Sequence, residues 1–140
     1  MMTNIIANNG KWCQPRIAKE YQISNVKSQK FVTNNCHNLG IKKENIELVK
    51  EGMRQACSKG GTGFPFFDFK IKGQNNIVAC KTGTAEFGNL KEQTHAWFTA
   101  FAPVDDPQIS VTVFLEGGGE GSRDAAPMAK EIMEEYFFRF

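Results

Sequence analysis

Alternation of apolar and polar positions is clearest in the second half of the chain, where it predicts three β-strands. Residues 76–84 and 94–102 are strand-like. In residues 108–116, every second residue is apolar, which is the period of a strand with one face in a core. The apolar residues are Ile109, Val111, Val113 and Leu115, and they alternate with Ser110, Thr112 and Phe114. The turn-forming residues 103–107 separate the second strand from the third, so these two strands are expected to pair antiparallel.

Three helical segments accompany these strands. Residues 1–9 have the pattern of a helix end closed by Asn9 and Gly10, since both residue types tolerate the left-handed conformation. Residues 45–58 repeat apolar side chains at the helical period (Ile46, Val49, Met53, Ala56 and Cys57). A last helix is expected to begin near Ser122 or Asp124, with Pro127 in its first turn. Its apolar stripe consists of Met128, Ile132, Met133, Tyr136 and Phe137.

The remaining segments carry weaker patterns. Residues 11–43 are polar and mixed, with short strand-like pieces at Ile17 and at residues 31–33. The glycine-rich residues 59–63 lack the spacing of a phosphate-binding loop and are expected to end the helix before them. The phenylalanines that follow are expected to pack against the core or a partner. Together the elements predict an α+β fold, an antiparallel sheet covered by helices.

Composition narrows the class of protein and of partner. The 140-residue chain, with 41% hydrophobic and 23% charged residues, has the make-up of one small globular domain or a piece of one. Its formal net charge of +2 disfavours nucleic acid as a partner. No apolar run approaches the ~18 residues of a membrane-spanning helix, and residues 1–10 lack the features of a secretion signal. We therefore expect no signal or anchor in this chain.

The four cysteines, Cys13, Cys36, Cys57 and Cys80, are too sparse for a disulfide-rich scaffold. Their even number permits two disulfides in any of three pairings. Because Cys57 falls on an apolar helical face, small buried thiols are the preferred interpretation. The two histidines sit at no zinc-binding spacing, so no metal site is expected.

The tetrapeptide Lys81-Thr82-Gly83-Thr84 carries the candidate chemistry. In a strand, Lys81 and Thr84 point to opposite faces, so the chemistry must be divided between side chains and backbone. Gly83 allows a ligand to approach the main chain closely, and a backbone N–H just beyond it can stabilise an oxyanion. Lys81 offers positive charge to an anionic substrate, and the threonines offer hydroxyl groups. Alone, these common residues also fit an edge strand with a solvated lysine.

The surrounding motifs make the assignment more specific. Several segments, in this order and spacing, closely resemble the C-terminal third of the transpeptidase domain of class B penicillin-binding proteins, within the penicillin-binding and serine β-lactamase-like superfamily. They are residues 6–11, 15–16, 49–54, 79–86, 95–98, 101–103 and 125–129. The resemblance covers nearly the whole chain. It implies an incomplete portion of a β-lactamase/transpeptidase-like fold, with residues 1–140 as the C-terminal portion of the domain. Cys80 departs from the glycine that this family usually has before the motif lysine.

The resemblance implies a serine acyl transfer that cross-links the D-Ala-D-Ala stem peptides of peptidoglycan and is blocked by β-lactams. The resemblance implies that Lys81 polarises the active site and that Thr82 and Thr84 bind the substrate carboxylate. It also implies that the Thr84 backbone N–H contributes to the oxyanion hole. No metal or organic cofactor is implied. The parent protein is expected to be anchored in the cell membrane, with this domain on its extracytoplasmic face. Trp97 is expected to pack in the core rather than line the cleft, and His95 to be structural or at the surface.

The family mechanism also requires an S-x-x-K nucleophile motif and an S-x-N motif upstream of the K-T-G motif. No S-x-N string occurs in this sequence. The one S-x-x-K string, at Ser24, lies in a polar stretch at the wrong place for the family nucleophile, and chance accounts for it. We therefore expect the nucleophile-bearing part of the domain to be absent and the chain to be inactive alone.

Three alternatives remain open from the sequence. A class D type β-lactamase or β-lactam sensor also carries K-T-G followed by a W-F strand, although residues 103–107 and 117–129 favour the penicillin-binding protein. The second is a non-catalytic remnant or interaction module of the fold, and the third an unrelated anion-binding domain. Without the upstream part of the domain, residues 109–115 would present an open strand edge. Self-association through that edge, with marginal stability, is therefore expected.

Overall fold

A computed structural model describes residues 1–15, 20–21, 29–30, 35–74, 77–88 and 93–139 of the chain. The strand-like pieces predicted at Ile17 and at residues 31–33 lie outside the described residues, as does Ser24. Three helices are described, α1 (Met2–Ala7), α2 (Lys43–Ala56) and α3 (Ala126–Arg139). Two small antiparallel sheets occupy the first third of the chain, formed by the pairs β1 (Lys11–Cys13) with β4 (Cys36–Asn38) and β2 (Glu20–Tyr21) with β3 (Gln29–Lys30).

The main sheet is antiparallel, with the strand order β5-β6-β7. Its strands are β5 (Ala79–Glu86), β6 (Thr94–Ala102) and β7 (Ile109–Leu115). The predicted antiparallel pairing of the second and third strands is confirmed, and Val111 and Val113 are buried as the alternating pattern predicts. The first strand begins three residues later than predicted and extends to Glu86.

Helices cover both faces of this sheet. One face packs against α3 and the segment before β5, in a core that includes Phe66, Phe98 and Met133. On the other face Phe101 and Ala79 pack against residues of α1 and α2. The predicted α+β class, an antiparallel sheet covered by helices, is confirmed.

The end of α1 follows the prediction closely. Asn9 and Gly10 have φ values of 54° and 83°, in the left-handed region. The Gly10 N–H donates to the Ile5 carbonyl at 2.8 Å, and the Asn9 N–H donates to the Ile6 carbonyl at 3.1 Å. These two bonds form the motif that commonly closes a helix at such residues.

Helix α2 begins and ends two residues earlier than predicted, and its buried face is shifted. Ile46 and Met53 are buried, but Val49 is 44% exposed and Lys50 is only 5% exposed. The Lys50 ammonium group donates to Asn9 Oδ1 at 2.6 Å. A lysine can occupy this position because its aliphatic stem packs while its polar end finds an acceptor.

The start of the last helix also differs from the prediction. A single π-helical turn, Gly121–Ala125, precedes α3, and Glu120 rather than Ser122 or Asp124 occupies the capping position. Asp124 lies inside the turn and caps it from there, because its Oδ2 accepts the N–H of the capping residue Glu120 at 2.7 Å. Pro127 lies in the first turn of α3, as predicted. Only Met133 of the predicted stripe is fully buried, whereas Met128, Ile132 and Tyr136 are 40–48% exposed.

The preferred interpretation of the cysteines as free buried thiols is wrong. Disulfides join Cys13 to Cys36 and Cys57 to Cys80. The first pair lies directly opposite on β1 and β4, and the second joins the end of α2 to β5. The sequence could not select this pairing because it depends on which strand and helix ends meet. None of the described helices has the length and apolar character needed to cross a membrane.

Candidate active site

Strand β5 holds the four motif residues near its middle. In the pairing with β6, Lys81 lies opposite Thr99 and Gly83 opposite Trp97, and Thr82 and Thr84 alternate with them. The predicted division of Lys81 and Thr84 between opposite faces of the strand is therefore confirmed. Lys81 and Thr84 are exposed, and the Lys81 ammonium group donates to the carbonyl oxygen of Thr82.

A residue outside the motif also contributes to the site. The Thr82 hydroxyl donates to Oγ1 of Thr62 at 3.0 Å, and Thr62 is exposed in the loop after α2. From the sequence, this loop is expected only to end the helix, and Thr62 is not identified as a site residue. The position of Thr62 between two glycines was the one sign of its role in the sequence, because its partner Thr82 lies 20 residues further along the chain.

The π-helical turn before α3 approaches β5 closely from the face that carries the threonines. The Gly121 N–H donates to the Thr84 hydroxyl oxygen at 3.4 Å. A Cβ at Gly121 would lie 2.1 Å from the Trp97 carbonyl oxygen and 2.4 Å from the Gly83 carbonyl oxygen. A Cβ at Gly83 would lie 3.1 Å from Cβ of Trp97. Glycine at both positions thus allows the close backbone packing that fixes the motif strand.

Trp97 does not pack in the core, contrary to the prediction. It is 42% exposed on the sheet face that Lys81 shares, and its ring centroid is 4.2 Å from that of Phe114. The adjacent His95 ring stacks on Phe87 with centroids 3.8 Å apart, and Nδ1 of His95 accepts the Gly117 N–H at 3.1 Å. These contacts agree with the structural role expected for His95.

The described residues place Lys81 on one face of β5 and Thr82 and Thr84 on the other, with Thr62 hydrogen-bonded to Thr82. They include no group of three His, Cys, Asp or Glu side chains placed to hold a metal ion. The arrangement can supply a positive charge, hydroxyl donors and backbone groups to an anionic or carbonyl-containing ligand. Ser24, the serine of the one S-x-x-K string, lies outside the described residues.

Comparison with known proteins places this chain in a family. The family model of the penicillin binding protein transpeptidase domain matches residues 1–134. The peptidoglycan D,D-transpeptidase MrdA of Haemophilus influenzae is 34% identical over 148 aligned positions, which cover 96% of this chain. The chain spans 22% of the length of that relative.

Two solved structures show the same fold. Pseudomonas aeruginosa PBP2, determined in complex with WCK 5153, is 31% identical with a TM-score of 0.78, and the match covers 98% of this chain and 29% of that one. Penicillin-binding protein A of M. tuberculosis, determined as an imipenem acyl-enzyme complex, is 25% identical with a TM-score of 0.75. That match covers 96% of this chain and 29% of the other.

Proposed function

Because the chain belongs to the penicillin-binding protein transpeptidase family, we propose that it is the C-terminal portion of a peptidoglycan D,D-transpeptidase domain. In this proposal β5 supplies the strand wall of the active site. The remainder of the domain, including the acylated serine, comes from residues upstream of those in this chain. The function requires both parts, so the upstream part of the same domain is the first partner.

The proposed reaction is a serine acyl transfer. The serine oxygen attacks the penultimate D-alanyl carbonyl of a stem peptide, the peptide bond to the last residue breaks, and D-alanine leaves with the proton. An amine of a neighbouring stem then attacks the ester, forming the cross-link and freeing the serine. Lys81 polarises the site, Thr82 and Thr84 bind the substrate carboxylate, and the Thr84 backbone N–H stabilises the oxyanion. A β-lactam would acylate the same serine.

The observation that carries this proposal is the hydroxyl cluster on the motif strand. Thr82 and Thr62 lie within hydrogen-bond distance of each other, and Lys81 is exposed on the same strand. Hydroxyl donors and an ammonium group carried by one strand suit a substrate that has both a carboxylate and a reacting carbonyl.

The two disulfides support a location outside the cytoplasm. Disulfides persist in the periplasm and at cell surfaces but are rare in reducing compartments. We therefore propose that the full protein is anchored in the cell membrane with this domain on the extracytoplasmic face. No organic cofactor or metal ion takes part in the proposed reaction.

The first experiment is to read the DNA immediately upstream of the Met1 codon in frame. The proposal predicts an open frame that encodes an apolar anchor, an S-x-x-K motif and an S-x-N motif. A stop codon just before Met1, with no such frame nearby, would instead favour a non-catalytic interaction module and overturn the catalytic proposal.

The second experiment is acylation of the protein expressed from that longer frame. Incubation with a reporter penicillin should give one adduct on the S-x-x-K serine by intact mass, whereas residues 1–140 alone should give none. Lys81→Met should lower the acylation rate by about 10²-fold, and Lys11→Met, an exposed control in β1, should leave it unchanged. An adduct on Ser24 would contradict the proposal. Rapid recovery from the adduct would favour a β-lactamase.

A further inference from the structure

The Cys57–Cys80 disulfide lies directly beside the candidate site. Cys80 immediately precedes Lys81 on β5, and Cys57 is the residue that closes α2. Both cysteines are buried, with 4% and 0% of their surface exposed. The bond therefore joins the end of one helix to the motif strand within the protein interior.

The loop that carries Thr62 folds back over this disulfide. The Gly63 N–H donates to the Ala56 carbonyl at 2.7 Å, which returns the chain to the end of α2. A Cβ at Gly63 would lie 2.7 Å from Sγ of Cys80 and 2.9 Å from Sγ of Cys57. Only a residue without a side chain allows the loop to rest on the two sulfur atoms at this distance.

The loop then reaches the strand a second time through the Thr62–Thr82 hydrogen bond. Cys80 and Thr82 are two residues apart on β5, so their side chains leave the same face of the strand as neighbours. The disulfide thus ties Cys57, where the loop begins, to Cys80, and the hydroxyl pair ties Thr62 to Thr82 on the same face of the strand. A hydrogen bond between two exposed hydroxyl groups fixes little alone, since water competes for both partners.

We propose that the Cys57–Cys80 disulfide is a positioning element of the site, holding the Thr62 loop against β5 so that Thr62 stays in register with Thr82. Its consequence for catalysis rests on the proposed transpeptidase function, but its effect on the loop and strand does not.

The second disulfide provides a matched control. Cys13–Cys36 and Cys57–Cys80 both close loops with a sequence separation of 23 residues. The chain-entropy contribution of a disulfide depends on loop length, so both bonds are expected to stabilise the fold to a similar extent. Cys13–Cys36 joins β1 to β4, which form a separate sheet from the one that contains β5. A difference between the two deletions at the site therefore reports position rather than stability.

The test is hydrogen–deuterium exchange of the full 140-residue chain and of the double variants Cys57→Ala/Cys80→Ala and Cys13→Ala/Cys36→Ala. Removal of the bond at the site should accelerate exchange of residues 58–63 and 81–84 at least about tenfold relative to β6 and β7. The control should change the same amides less than about twofold. Equal acceleration in both variants, or none in the first, would overturn the proposal.

A second variant covers the case in which Cys57→Ala/Cys80→Ala does not melt cooperatively. Gly63→Ala keeps all four cysteines but places a Cβ against both sulfur atoms, so it should displace the loop and accelerate exchange of residues 81–84 with the fold intact. Unchanged exchange there would overturn the proposal.

Activity gives an independent readout in the protein from the longer frame. There the site variant should raise the dissociation constant of the non-covalent penicillin complex at least about fivefold relative to the control variant. Equal dissociation constants would contradict a role for the disulfide in the site. Failure of the unsubstituted protein to acylate would reject the function and leave the exchange result to decide the positioning role.

Discussion

Gly121 lies so close to two strands that a side chain at this position would clash with them. The nearest atoms to an added Cβ are carbonyl oxygens of Trp97 and Gly83, which belong to paired strands and cannot rotate away. We expect Gly121→Ala to lower the free energy of unfolding by about 1–3 kcal/mol, because overpacking forces the backbone to shift. Urea denaturation followed by tryptophan fluorescence would measure the change.

Gly52 in α2 is the matched control for this substitution. It is exposed and has no atom within 4 Å of an added Cβ. Gly52→Ala should therefore raise the free energy of unfolding by about 0.5–1 kcal/mol, since alanine favours the helix. Two substitutions with the same effect would contradict the packing described at Gly121.

Asn9 matters because it accepts a hydrogen bond from the buried ammonium group of Lys50. Asn9→Gly removes the acceptor while tolerating the positive φ, and we expect it to cost about 1–3 kcal/mol of unfolding free energy. Lys50→Met should be close to neutral, because replacing a buried charge with an apolar group of similar size removes its desolvation cost.

A double-mutant cycle by chemical denaturation decides this point. In the Lys50→Met background, Asn9→Gly should lose most of its cost, because no buried ammonium group is left without a partner. An undiminished cost in that background would show that the Asn9 amide stabilises the helix end rather than Lys50.

At the scale of elements, an ion pair ties α3 to the segment before β5. The Lys130 ammonium group donates to Asp68 Oδ1 at 2.7 Å. This hydrogen bond, together with the charge of Lys130, lowers the pKa of Asp68 below its usual value of about 3.9. Because the folded-state pKa is depressed, the contribution is present above about pH 4 and is lost as the pH falls through the lower pKa of the folded chain.

We expect Asp68→Asn to lower the melting temperature at pH 7 and to lower it less at about pH 2, because protonation of Asp68 progressively removes the ion pair as the pH falls through its depressed pKa. The Asp68 side chain is 80% exposed, so the loss at pH 7 should not exceed about 1 kcal/mol. Melting curves at the two pH values check this, with Glu131→Gln on the same helix as control. A loss that is undiminished at low pH would contradict the ion pair as its cause.

The sequence predicted elements well where one local pattern determines them. The alternation in β7 and the paired Asn9 and Gly10 each have a local physical cause, and both predictions are confirmed. The π-helical turn could not be predicted, because it depends on the approach of Gly121 to two strands distant in sequence. The same limit applies to the site, where the motif residues share one strand but Thr62 reaches them only through tertiary structure.

At the scale of the whole molecule, β7 has one neighbouring strand among the described residues. Two exposed aromatic side chains lie together on one sheet face, Phe114 of β7 at 45% exposure and Trp97 of β6 at 42%. Open strand edges and apolar patches favour association, so residues 1–140 should self-associate as concentration rises. Sedimentation velocity over roughly a twentyfold range of concentration would measure this, and a single monomer boundary throughout would contradict it.

Phe114→Lys places a charge on this edge and should weaken the association. Phe64→Lys is the control, because Phe64 is 52% exposed but lies in the turn after α2. If both lysine variants reduce association equally, general solubility rather than the strand edge is responsible.

The division of Lys81 and the threonines between the two faces of β5 has a consequence for drug resistance in the proposed enzyme. A ligand that contacts both faces must lie along the edge of the strand and form hydrogen bonds with its main chain. A side-chain substitution cannot delete a main-chain hydrogen bond. Escape from an inhibitor held this way would therefore require moving the strand itself. Gly63 and Gly121, which touch the strand or its disulfide but need not touch the drug, are the positions where such mutations should arise.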